Sequence, residues 1–235
     1  KYTLFLCVLR RGLFWNYLEE TELRPVVREE YKPPCSQLYV RDQKNLLFEV
    51  TYYKKRINFE TYHALTDGTG ALQFVRSLVY FYLMEVHPEK VKGPVSQVLA
   101  DATEEEKAED SFSKYYSEEA RANDIPKYKA HQMKYHRLEY GGIRLTEGII
   151  STEELLKTAR SYGTTITVYL TAVFLCAIAK DMSPRQKKRP VSLMIPVNLR
   201  SYFPSESVRN FFGWIDIGYD FSSGKESLEE VIAFT

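Results

Sequence analysis

Cysteine is scarce. The 235 residues hold three, Cys7, Cys35 and Cys176, far apart in the chain. So sparse and odd a count provides neither a disulfide framework nor C-x-x-C metal spacing, and a reduced, cytoplasmic setting is the expectation. Long apolar runs are missing too. The longest, Ile166–Ala179 ("ITVYLTAVFLCAIA"), falls short of the roughly 20 residues that a bilayer span needs, and it reads as a buried helix. The formal net charge is +1, which gives no sign of the basic footprint of a nucleic-acid binder. No G-x-G-x-x-G or P-loop accompanies Gly141-Gly142, so that pair reads as a turn or bulge. His87, His131 and His136 lack partners at metal-ligand spacing, and no metal is expected. No signal peptide is visible. The chain begins in mid-pattern at Lys1-Tyr2 and stops inside "LEEVIAFT", so both ends read as cut.

Aromatics are abundant instead, with 18 Tyr and 13 Phe against 2 Trp. They suit a broad core or an apolar ligand channel, and composition does not separate the two. Residues 2–8 ("YTLFLCV") read as a strand, and "RGLFWNYLEE" shows no clear period. Pro25, Pro33 and Pro34 make residues 24–35 an extended connector. "LLFEVTYY" and "INFETYHAL" form a hairpin around Lys54-Lys55-Arg56. Residues 68–85 read as a helix with Leu72, Val75, Leu78, Val79, Tyr82 and Leu83 on one face, ended by His87-Pro88. Residues 95–125 are an acidic surface excursion. Strand character resumes in "YHRLEYGGIRLTEGII". Ser151 and Glu154 form a capping box before a helix stopped by Gly163. "RPVSLMIPVNLR" and "NFFGWIDIGYDF" are two further strands. Strands and helices alternate without repeats, which predicts a layered α/β fold, a mixed β-sheet flanked by helices.

One stretch, Thr61–Gly68 ("TYHALTDG"), holds the residue types that chemistry needs. Histidine takes up and returns a proton near neutral pH. A period of 2 places His63 on the face of Ile57 and Phe59. Gly68 permits a tight turn, positive φ included, that brings Asp67 back beneath the strand end. Two readings stay open on spacing alone. Asp67 is either a helix N-cap or the orienting partner of a base, and His63 either packs or catalyses.

The segment resembles the H-H-x-x-x-D-G signature of the acyl-CoA-dependent acyltransferase superfamily, which includes chloramphenicol acetyltransferase and peptide-synthetase condensation domains. His63, Asp67 and Gly68 match it, with Tyr62 in place of the first histidine. "PVNLR" (196–200) and "RNFFGW" (209–214) resemble two further segments of the superfamily. "RRGLFWNYLEE" and "HALTDGTGALQFVRSLVYFYL" are similar to bacterial alcohol acetyltransferases. The resemblance implies a chloramphenicol-acetyltransferase-like fold, acetyl-CoA or another acyl-CoA as co-substrate, and a small alcohol or amine as acceptor. It implies His63 as general base. Asp67 would be structural, in a bidentate pair with Arg200, and Asn210 and Gly213 would shape the site. Without the family, Arg200 reads equally as a surface arginine, and Asn210 and Gly213 as a turn and a strand irregularity.

Members of the superfamily are about twice as long and form two similar halves. On that pattern residues 1–190 are most of the first half and residues 191–235 open the second. The later D-F-G-W-type motif is missing, and "FFGW" at 211–214 is not it. Two rival readings share the fold. One is a non-catalytic interaction module, favoured by Tyr62. The other is a condensation domain that uses carrier-bound acyl groups.

Overall fold

The computed structural model describes residues 3–41, 43–91, 103–117, 129–134, 138–139 and 143–235. Mixed α/β architecture is present, with small sheets flanked by helices. The chain divides into two compact units, one of residues 1–120 and 198–212, the other of residues 121–197 and 213–235.

In the first unit, a short 3-10 turn at Thr3–Phe5 precedes β1 (Cys7–Arg11), which pairs antiparallel with β2 (Asn16–Glu20). The strand expected over residues 2–8 thus starts later, and the segment without a period is the second arm of a hairpin. β3 (Val27–Glu29) lies inside the expected connector and runs parallel to β4 (Phe48–Tyr53), which pairs antiparallel with β5 (Arg56–Thr61). Prolines 25, 33 and 34 flank β3 without entering it, so its ladder N–H groups are intact. Lys54 turns the hairpin with φ 53°.

Four phenylalanines fill the core of this unit. Phe59 and Phe74 stack at 4.6 Å between ring centres, Phe5 and Phe74 at 5.1 Å, and Phe48 meets Phe74 edge-on at 5.7 Å. Leu47, Leu65 and Val208 close around them. Helix α1 (Gly68–Val86) covers the cluster with Phe74 and Leu78, and Ser77 is buried beside them. The apolar face read from the sequence is rotated. Leu72, Tyr82 and Leu83 are exposed, because α1 carries apolar residues nearly all round and its period does not select one side. His87 caps the helix, its N–H bonded to Leu83 O at 2.8 Å.

The acidic stretch holds α2 (Glu104–Ala108) and α3 (Ser111–Tyr115), capped by Thr103 and Asp110. The two helices grip the loop 205–211. Val208 N–H bonds to Lys107 O at 2.9 Å, and Ser207 Oγ donates to Glu109 O at 2.7 Å.

The second unit holds α4 (Thr152–Ser161), α5 (Ile166–Lys180), β6 (Val191–Asn198), β7 (Phe212–Tyr219) and α6 (Leu228–Phe234), with β6 paired to β7. Ser151 caps α4 by accepting Glu154 N–H at 3.3 Å, and Gly163 follows it at φ 69°. The core joins Ala172, Leu175 and Ala179 of α5 to Val191, Tyr219, Phe221 and Val231. α5 is therefore buried on one face only, and Phe174 is 60% exposed. A helix apolar all round hides in sequence which side will be covered. Residues 143–150, expected to be strand, carry no regular structure, and His136 and Gly141-Gly142 lie outside the described residues. No single helix among the described residues is long and apolar enough to cross a membrane.

Candidate active site

All of the geometry around "TYHALTDG" lies in the first unit. β5 runs to Thr61, the Tyr62 N–H adds one last bond in the same register to Leu47 O at 2.7 Å, and Leu65 N–H then closes a turn onto Tyr62 O at 2.9 Å. Strand parity ends there. His63 does not share the Phe59 face but stands exposed in the turn. Its ring lies 5.5 Å from that of Phe212, tilted by 50°. Among the described residues no group hydrogen-bonds the imidazole. Its backbone is held, with Asn210 Nδ2 donating to His63 O at 2.8 Å. Tyr62 packs instead against Tyr39 at 5.9 Å.

Asp67 is 6% exposed and fully used. Oδ1 accepts the N–H groups of Thr69 and Gly70 at 3.1 and 3.0 Å, which caps α1. Oδ2 accepts Arg200 Nη1 and the Phe211 N–H, both at 2.8 Å. Asp67 is thus both cap and ion-pair partner, two readings that spacing held apart. The expected bidentate geometry does not form. Oδ1 is spent on the helix, so a single arginine nitrogen reaches the carboxylate. Arg200 is no surface arginine. Its side chain is 8% exposed. Nε and Nη2 donate to Ser207 O at 3.0 and 2.8 Å, and Nη2 also donates to Arg209 O at 2.6 Å. One guanidinium thereby binds the Asp67 turn to the loop 207–211.

The glycine that the signature singles out is not the constrained one. Gly68 has no positive φ, and a Cβ there would meet nothing within 4 Å. Two residues on, a Cβ at Gly70 would lie 2.2 Å from Thr66 Oγ1 and 2.3 Å from Val208 O. Thr66, 1% exposed, donates from Oγ1 to that same carbonyl at 2.5 Å. Thr66, Gly70, Ser207 and Phe212 all escaped the sequence reading. The one available signal was the small residue at Gly70, in the first turn of an otherwise bulky helix. Gly213 is the second residue of β7 and belongs to the second unit.

Cys7 and Cys176 are not poised as nucleophiles. Burial pushes the Cys7 and Cys176 thiols up, with nearby glutamates adding to the effect.

Residues 134–222 match the family model described as "Phthiocerol/phthiodiolone dimycocerosyl transferase C-terminus". The match supports an acyltransferase superfamily. It covers Arg200, Asn210 and Gly213, while His63 and Asp67 lie outside it. No curated protein matches the chain significantly.

Proposed function

We propose that the chain carries the proton-transfer residue of an acyl-CoA-dependent O-acyltransferase, with His63 as general base. The observation that carries this reading is how the motif divides its labour. The Asp67 carboxylate is consumed by four protein donors, which leaves the exposed His63 imidazole as the group free to exchange a proton. The family match at residues 134–222 supports acyl transfer as the reaction class.

His63 takes the proton of an acceptor hydroxyl as its oxygen attacks the thioester carbonyl. The tetrahedral intermediate collapses, the C–S bond breaks, and the imidazolium returns the proton to the leaving sulfur. The products are an ester and the free thiol of CoA. No acyl-enzyme is required, because both substrates meet at one base. Asp67, Arg200 and Asn210 hold the turn that aims His63, and they take no part in proton transfer. An alcohol acetyltransferase is the specific form proposed, with acetyl-CoA as donor.

The test is release of CoA thiol by the full gene product, given acetyl-CoA and a panel of small alcohols. Expected is acceptor-dependent release that falls by about 10²–10⁴-fold in His63→Ala, the usual worth of a general base. Full activity in that variant would end the reading. No detectable heat on calorimetric titration of the full gene product with acetyl-CoA would instead favour a non-catalytic module.

A further inference from the structure

Beside β3, a cleft of about 330 Å³ is lined by residues drawn from the stretch between Leu23 and Val50. That volume lies at the lower end of small-molecule sites. Among the described residues its lining includes Arg24, Arg28, Lys32 and Lys44 against one carboxylate, Glu49. Four cations against one anion leave a surplus of three positive charges in a small concave volume. Such a cleft focuses its field and concentrates anions.

The single acid does not cancel the site, because it is already committed. Glu49 meets Lys32 Nζ at 2.5 Å and Arg28 Nε at 3.4 Å, and it accepts the Tyr31 hydroxyl at 3.0 Å. These contacts leave both terminal nitrogens of Arg28 without a partner among the described residues. The Tyr31 ring braces the same cations, 4.9 Å from the Arg28 guanidinium and 5.4 Å from Lys32 Nζ. Arg24 and Lys44 stand exposed with no acidic partner among the described residues. Half-buried Leu38, Val40 and Leu46 complete the wall. The cleft thus offers one braced guanidinium, Arg28, with two further cations, Arg24 and Lys44, beside an apolar surface.

We infer that this cleft binds a small phosphate ester, its phosphate held by Arg24, Arg28 and Lys44 and its organic body against Leu38, Val40 and Leu46. A carboxylate brings one charge and fits the surplus poorly. A phosphomonoester or diphosphate brings two or more, with oxygens spaced for arginine's planar fork. The site is independent of the acyl-transfer reading, since none of its residues belongs to the His63 turn.

The test is calorimetric titration of the whole chain with n-octyl phosphate, inorganic pyrophosphate and octanoate at low and at physiological salt. Expected is saturable octyl phosphate binding that weakens with salt and drops about tenfold in Arg24→Ala and in Lys44→Ala. Both positions are exposed, so far-UV circular dichroism should show both variants folded. Lys157→Ala, an exposed change on α4, should bind as wild type. Octyl phosphate binding tighter than pyrophosphate supports the ester. Equal binding overturns the ester and leaves a free-phosphate site. Octanoate binding as tightly as octyl phosphate overturns the choice of phosphate. No saturation by about 10 mM, or unchanged affinity in both cleft variants, overturns the site. None of these readouts depends on His63 or on acyl transfer, so either proposal can fail alone.

Discussion

Replacing Gly70 by alanine should destabilise a fold that the replacement of Gly68 leaves intact, although Gly68 is the glycine of the signature. In a solvent-exposed helix, alanine is better than glycine by about 1 kcal/mol. At Gly70 that gain meets two walls. The new methyl would sit 2.2 Å from Thr66 Oγ1 and 2.3 Å from Val208 O, and neither can retreat alone, because the two are bonded to each other at 2.5 Å. Val208 is fixed from behind through its N–H to Lys107 O at 2.9 Å. Overpacking of this kind costs about 1–3 kcal/mol, and separating Thr66 from its carbonyl adds about 0.5–1.5 kcal/mol. The net expectation for Gly70→Ala is a loss of about 0.5–3.5 kcal/mol. Gly68→Ala, with open space around it and no positive φ, should be neutral or stabilise by up to about 1 kcal/mol. Adding Thr66→Ala to Gly70→Ala removes one wall and leaves the Val208 carbonyl, so the pair should remain destabilised and be non-additive. Urea denaturation followed by circular dichroism measures wild type, Gly68→Ala, Gly70→Ala, Thr66→Ala and the double variant. A Gly70→Ala midpoint equal to wild type, within about 0.5 kcal/mol, would refute the close approach of α1 to residue 208.

Other expectations follow from the same geometry. Asp67→Ala leaves Arg200 buried and charged without its partner and should cost about 3–5 kcal/mol in urea denaturation. Arg200→Lys should behave nearly as badly, since one ammonium cannot serve the carbonyls of Ser207 and Arg209 together with Asp67. His63→Ala, at an exposed side chain, should shift stability by less than about 0.5 kcal/mol while abolishing thiol release, and a large loss of stability would make His63 structural. At Glu49, burial acts to raise the carboxyl, but the hydrogen bonds from Lys32 and Tyr31, with the charges of Lys32 and Arg28, outweigh it and hold the group below its ordinary value of 4.5. Its contribution is therefore complete above pH 4.5 and lost as the pH falls through the lowered folded value. Glu49→Gln should flatten that acid limb of a stability profile. A profile unchanged by the substitution would refute the assignment.

Much of this architecture was legible because its signals are local. The β4–β5 hairpin, the Ser151 cap, the Gly163 stop and the start of α1 each follow from a few neighbouring residues. What the sequence hid depends on distant partners. β3 exists because β4 offers it an edge, and the rotation of α1 is chosen by Phe5, Phe48 and Phe59. Alternation misplaces His63 because it holds only while the ladder lasts, and the last bond in register, from Tyr62 N–H to Leu47 O, falls one residue before the histidine. Asp67 was legible as a polar residue at a helix start. Its second oxygen was not, since Arg200 and Phe211 lie 133 and 144 positions away. Gly70 was hidden for the same reason, its constraint coming from Val208.

That long separation sets an order of events during synthesis. His63 and Asp67 leave the ribosome well over a hundred residues before Arg200, at about 5–20 residues per second. Through those seconds α1 can form and take its cap from Asp67 Oδ1, but Oδ2 has no guanidinium to receive. The turn that carries the imidazole is held only by local bonds until the loop 207–211 arrives and closes a ring of more than a hundred residues. A nascent chain halted before Arg200 would display the whole "HALTDG" motif and still lack the site.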